Sequence, residues 1–110
     1  MSPVSYARFR GIVVPSMKTI RYTKYMLDRL EFRRIPRSVV EGILQTAVER
    51  YFDIETGRCM AVQRVKYQGH YKHLVVAYEE TGVETTAVTV HTVTKRQVQA
   101  RIKRQRWVPK

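Results

Sequence analysis

After Val48 the period of the sequence changes from helical to alternating, and between residues 49 and 93 four strand-length runs, one with the apolar stretch Leu74 to Tyr78, are separated by turns that each end in glycine. No other feature constrains the fold as much. The runs cover residues 49–54, 58–66, 71–79 and 84–93, and the turns are Glu55-Thr56-Gly57, Tyr67-Gln68-Gly69 and Glu80-Thr81-Gly82. Connections this short join antiparallel neighbours, because a parallel crossover needs a dozen or more residues. The expected sheet is therefore four-stranded and antiparallel.

Ahead of the strands the period is helical. Met26, Leu27 and Leu30 form an apolar stripe within residues 20–34, with Ile20 and Tyr22 at its edges, which predicts a first helix there. On the opposite side Tyr25, Arg29 and Arg33 recur every four residues as a polar stripe. Pro36 stops this helix and suits the first position of a second, in which Ser38 and Glu41 have capping-box spacing. That helix buries Val40, Ile43, Leu44 and Ala47 and ends at Ala47 or Val48. The short Ile35-Pro36 junction makes the pair a helical hairpin.

After the strands, Val98 and Ile102 provide a thin apolar stripe for a last helix over residues 95–106, which is otherwise mostly Gln and cations, and Trp107 is placed to pin its end. The order is ααββββα, an α+β domain over residues 17–110. Residues 1–16, small, polar, basic and free of acids, read as a peripheral extension. A chain of 110 residues supports a single core. No apolar run nears the roughly 18 residues that span a bilayer. The single Cys59 leaves no internal disulfide to form, so a reducing, cytoplasmic setting is expected.

Charge narrows the function. The chain has 21 Lys and Arg against 9 Asp and Glu, a formal net charge of +12. All nine acids lie between Asp28 and Glu84, where nine basic residues balance them, so the two ends carry the whole excess. A localised basic surface seeks polyanions, and nucleic acid is the first candidate because neutralising phosphates releases counterions. The densest run is the last helix, where Lys95, Arg96, Arg101, Lys103, Arg104 and Arg106 surround the Val98/Ile102 stripe. A solvated basic face without a specific ligand is the plainer alternative.

Several pieces together resemble the RelE/ParE toxin-like superfamily, in particular its small branches near BrnT-like proteins. They are Tyr25-x-x-x-Arg29-x-x-x-Arg33-Arg34-Ile35 at the end of the first helix, Ser38 to Ile43 in the second, and Gly57-Arg58 at the second strand. Leu74-Val75-Val76-Ala77-Tyr78, Val88-Thr89-Val90 and the basic ending from Lys95 to Trp107 complete the likeness over residues 20–107. The resemblance implies a RelE-like fold and a basic RNA-binding protein acting as a metal-independent endoribonuclease. Its RNA would include ribosome-bound mRNA, and a small antitoxin protein would neutralise it. Where those branches carry a His this chain has Tyr25, a poor proton shuttle near neutral pH. That departure favours the alternative, a non-catalytic module binding nucleic acid or protein on the same fold.

RNA cleavage without metal activates the ribose 2′-hydroxyl, and needs a proton-transfer group and cations for the phosphate. Arg64 and Lys66 are alternate residues of one strand and share a face, Arg64 suiting a bidentate phosphate contact and Lys66 a point charge. His91 or His73 is the candidate for proton transfer; a solvent-facing or hydrogen-bonded structural His is the competing reading for each. His73 and Tyr78 are an odd number of positions apart and must point to opposite faces, and Tyr78 is read as packing. Arg29, Arg33, Arg96, Arg101, Lys103 and Arg104 are the candidate nucleic-acid contacts. No metal is expected, since His70 and His73 diverge in an extended chain and one Cys supplies no further ligand set. Gly-rich nucleotide loops and nucleophile elbows are missing from the sequence, so no cofactor is expected either.

Overall fold

The computed structural model describes residues 18–110, and the proposed extension at residues 1–16 lies outside them. Nine elements follow in order: β1 (Thr19–Tyr22), α1 (Lys24–Arg33), α2 (Arg37–Thr46), β2 (Glu49–Asp53), β3 (Arg58–Tyr67), β4 (His70–Glu80), β5 (Glu84–Thr92), α3 (Lys95–Lys103) and β6 (Trp107–Pro109). The architecture is α+β, with three helices and one mixed six-stranded sheet ordered β1-β5-β4-β3-β2-β6.

The sheet is not the expected four-stranded antiparallel one: β2 to β5 pair antiparallel in sequence, and an edge strand is added on each side, one of them parallel, which makes the sheet six-stranded and mixed. On one side the expected first helix begins four residues late. Thr19–Tyr22 is a strand lying parallel to β5, with Ile20 opposite Thr85 and Tyr22 opposite Ala87. Thr23 then caps α1, its hydroxyl accepting the Met26 N–H at 3.0 Å. On the other side α3 stops at Lys103, and Trp107–Pro109 pairs antiparallel with β2.

Helix ends are settled by contacts as much as by capping residues. α1 terminates with Arg34 in the left-handed region at φ 56°, where glycine is usual, and Ile35 N–H returns to the Leu30 carbonyl at 2.9 Å. The Ser38/Glu41 capping box does not form: Pro36 occupies the N-cap of α2, and Glu41 instead accepts the Tyr22 hydroxyl at 2.8 Å. Arg50 closes the other end of α2, donating to the Leu44 carbonyl at 2.6 Å and the Ala47 carbonyl at 2.8 Å, a favourable place for a cation at a helix C-terminus. α3 has a complete capping box between Thr94 and Gln97.

The sheet buries both faces. Met26, Leu30, Val40 and Ile43 of the first two helices pack on Ala61, Leu74, Val76 and Tyr78. On the opposite face Val98 and Ile102 of α3 pack with Trp107, Tyr51, Val62 and Val75. That double coverage explains the unbroken apolar run from Leu74 to Tyr78 in β4, whose residues are buried on both sides. As the odd spacing requires, Tyr78 lies in the layer opposite His73, its hydroxyl receiving Arg50 at 3.0 Å.

Candidate nucleic-acid interface

The β3–β4 hairpin outruns its neighbours. Pairing of β2 with β3 ends at Val62, and pairing of β5 with β4 ends at Leu74, so residues 63–67 and 70–73 continue alone as a two-stranded ribbon. A two-residue turn closes it, with Gln68 at φ 52° and Gly69 at φ 81°, the positive angles a type I′ hairpin turn demands. The ribbon leans on α1 through one face, where the Tyr67 hydroxyl donates to the Arg33 carbonyl.

Among the described residues nothing covers the other face. Register sets Arg64 opposite His73 and Lys66 opposite Tyr71. These four continue the alternation of Val62 and Val75, so they share the face on which α3 packs. Arg64, Lys66 and Tyr71 are exposed and His73 is half-buried. The Arg64 guanidinium lies over the Tyr71 ring at 4.3 Å from its centroid, a contact that orders the fork while leaving its edge free. Among the described residues, neither Arg64 nor Lys66 has a carboxylate at ion-pair distance.

His91 sits opposite Val75 on β5, on the same face and diagonal to His73. The structure thus gathers Arg64, Lys66, His73 and His91, the candidates for chemistry, on one face of three adjacent strands. The two imidazoles differ in setting. His91 is half-buried, and burial, followed by the positive charges of Arg101 and Arg33, pushes its pKa below the ordinary 6.5. It is neutral at pH 7. A depressed folded-state pKa means that the unfolded chain takes up the proton first, so this contribution to stability is whole above about pH 6.5 and is lost as pH falls below it. The unfolding midpoint of the wild type is expected to fall between pH 7 and 5, and His91→Gln to flatten that slope in chemical denaturation.

The other candidate cations are dispersed. Arg96 and Lys103 are exposed on α3, and Arg104 is exposed at its C-cap. Arg101 turns inward, its guanidinium 4.9 Å from the Trp107 ring, with one terminal nitrogen buried and without a hydrogen-bond partner. Burial and the neighbouring Arg106 and Arg104 lower its pKa. Arg29 and Arg33 belong to α1, in the layer across the sheet; Arg29 donates to the Tyr25 hydroxyl at 2.9 Å and lies over its ring. They therefore do not join the ribbon face. Sequence reasoning does not single out Tyr71, which is 60% exposed. A signal for it exists: residues 56–78 contain Arg58, Arg64, Lys66 and Lys72 and no acid.

Among the described residues no group of His, Cys, Asp and Glu is placed to hold a metal ion, and no helix is long and apolar enough to cross a membrane. Comparison with protein-family models, curated proteins and solved structures returns no match for this chain. What fold and surface define is an α+β domain with an open, cationic strand ribbon.

Proposed function

We propose that this protein is a cytoplasmic RNA-binding domain of RelE-like architecture that holds its ligand on the open face of the β3–β4 ribbon. The single observation carrying this reading is the grid of Arg64, Lys66, Tyr71 and His73, exposed or half-exposed side by side with no carboxylate among them. Phosphates suit Arg64 and Lys66, and the ring of Tyr71 suits an unstacked base, the mode by which single-stranded RNA is held on sheets. Arg96 and Lys103 on α3 extend the attraction around the same side.

A second reading, metal-independent endoribonuclease activity, is favoured by one detail: His73 stands directly across from Arg64. The imidazole would take the proton from the 2′-hydroxyl as it attacks the adjacent phosphate, the P–O5′ bond would break to leave a 2′,3′-cyclic phosphate, and the departing 5′-oxygen would take a proton from water, while Arg64 and Lys66 hold the charge that builds on the phosphoryl oxygens. The antitoxin implied by the resemblance would then act by covering this face.

Both readings meet in one experiment. Purified protein is titrated against a labelled single-stranded RNA in EDTA, with binding and cleavage read from the same samples. Binding is expected to weaken with salt, and Arg64→Ala/Lys66→Ala to flatten the log–log salt slope by about 0.7 for each phosphate no longer neutralised. Cleavage that disappears in His73→Ala while binding persists would establish the nuclease. Absence of salt-sensitive binding would sink the RNA reading and direct attention to a protein partner.

A further inference from the structure

Where β5 leaves the sheet for α3, the chain opens a notch beside the ribbon. Thr92 is the last β5 residue paired with β4; Val93 then donates its N–H to the His73 carbonyl at 2.9 Å and turns its side chain into the core under α3. Among the described residues the edge of β4 beyond that point has no neighbour. The result is a cleft of about 520 Å³, with Lys72 and His73 on one wall and Thr92, Thr94, Lys95 and Gln97 on the other.

Its chemistry is one-sided. No carboxylate lines the cleft, and neither Lys72 nor Lys95 has an ion-pair partner among the described residues. Glu49, on the other flank of α3, is engaged by the Tyr51 hydroxyl at 2.7 Å and makes no ion pair with Lys95. Lys72 lines the notch at the β4 edge, but its ammonium lies over the Tyr67 ring, 5.7 Å from the centroid, on the α1 side of the sheet. The Lys95 ammonium and the His73 imidazole, in a concave wall of a strongly basic protein, focus a positive potential on one small volume. A volume of this size admits a nucleotide. His73 also belongs to the ribbon grid, directly across from Arg64, so the cleft continues the open face. Its far wall, residues 92–97, blocks a straight continuation, so the site suits the end of a strand better than its middle.

We propose that this notch binds a phosphomonoester, supplied by the terminal phosphate of an RNA strand lying on the ribbon. The proposal rests on the RNA-binding reading. Lys95 supplies the charge and His73 a directional donor; a monoester carries more charge and more acceptor oxygens than the diester links within a strand.

The test compares one short single-stranded RNA with hydroxyl ends, with a 5′-phosphate and with a 3′-phosphate, by fluorescence anisotropy in EDTA. One phosphorylated end is expected to bind about tenfold more tightly than the hydroxyl-ended strand. Lys95→Gln should abolish that difference while leaving the hydroxyl-ended strand bound as before; Lys72→Gln, which removes an ammonium on the other side of the sheet, should leave the difference in place. Equal affinity for all three ends overturns the notch and leaves RNA binding on the ribbon intact. If none of the strands binds, the RNA reading has failed, and the notch is then judged with uridine monophosphate against uridine. A shift of the His73 ring resonances by the monophosphate alone sustains a mononucleotide site, and no shift overturns it.

Discussion

Asp53→Ala is expected to lower the unfolding free energy by about 3–5 kcal/mol, the usual cost of removing one member of a buried charged hydrogen-bond network. Asp53 closes β2, is fully buried, and accepts from four groups drawn from two distant parts of the chain. Its Oδ1 takes the backbone N–H groups of Glu55 and Thr56 at 2.9 and 3.3 Å, which shapes the β2–β3 turn. Its Oδ2 takes the Arg106 guanidinium and the Trp107 indole N–H, each at 3.2 Å, which ties the chain after α3 to the sheet. Alanine leaves the indole N–H buried without its partner and leaves the Arg106 guanidinium, 30% exposed, paired with Glu55 at 3.5 Å. Against a total stability of about 5–15 kcal/mol the loss is large enough to read directly from urea unfolding.

The same carboxylate has a pH signature. Burial alone raises its pKa, but the hydrogen bonds from Arg106, the two backbone N–H groups and Trp107 outweigh that and hold it below the ordinary 3.8. Its contribution is therefore whole above pH 3.8 and is lost as pH falls through the lower folded-state value. The acid limb of the stability curve should be shallower in Asp53→Ala than in the wild type. An unchanged limb, or a loss below about 1 kcal/mol at neutral pH, would show that the network does not hold the C-terminal strand.

Trp107→Ala is expected to cost a similar amount, about 3–5 kcal/mol, through lost area and the cavity left behind. The indole is 1% exposed, stacks on Tyr51 at 5.3 Å between ring centroids, and carries the Arg101 guanidinium on its ring. Trp107→Phe keeps the stack and loses the bond to Asp53, so the difference between Phe and Ala isolates packing. Because Asp53 and Trp107 share that bond, the double variant should cost less than the two single losses added together. Strict additivity would mean that the two residues act independently. α3 packs on the same cluster, so on the proposed RNA-binding reading affinity should fall with Trp107→Ala even though the indole is buried.

Much of this architecture is legible in the sequence because an element such as a strand or an amphipathic helix generates its own signal. The alternating runs and their glycine-ended turns mark β2 through β5 and their antiparallel order, since pleat and tight turn are local properties. Val98 and Ile102 mark the buried stripe of α3 in the same way, and the odd spacing of His73 and Tyr78 correctly separates their faces. The misses share a cause. β1 has only four residues, and a helical window absorbs Ile20 and Tyr22; its strand identity comes from lying along β5, more than sixty residues away in sequence. β6 has three residues and exists through β2 and Asp53. Glu41 leaves its capping-box role for the Tyr22 hydroxyl, a partner brought near only by that strand.

The candidate site divides along the same line. The sequence alone determined that the chain is strongly basic and α+β, and that Arg64 and Lys66 share a face, because composition and a period of two are properties of the chain itself. Only the tertiary structure decided that His73 stands across from Arg64, that Tyr71 joins them in the open, and that Arg101 turns inward onto Trp107 while Arg29 and Arg33 lie in the other layer. Those outcomes depend on strand register and on which surface each helix covers, and both are set by packing between residues far apart in the chain.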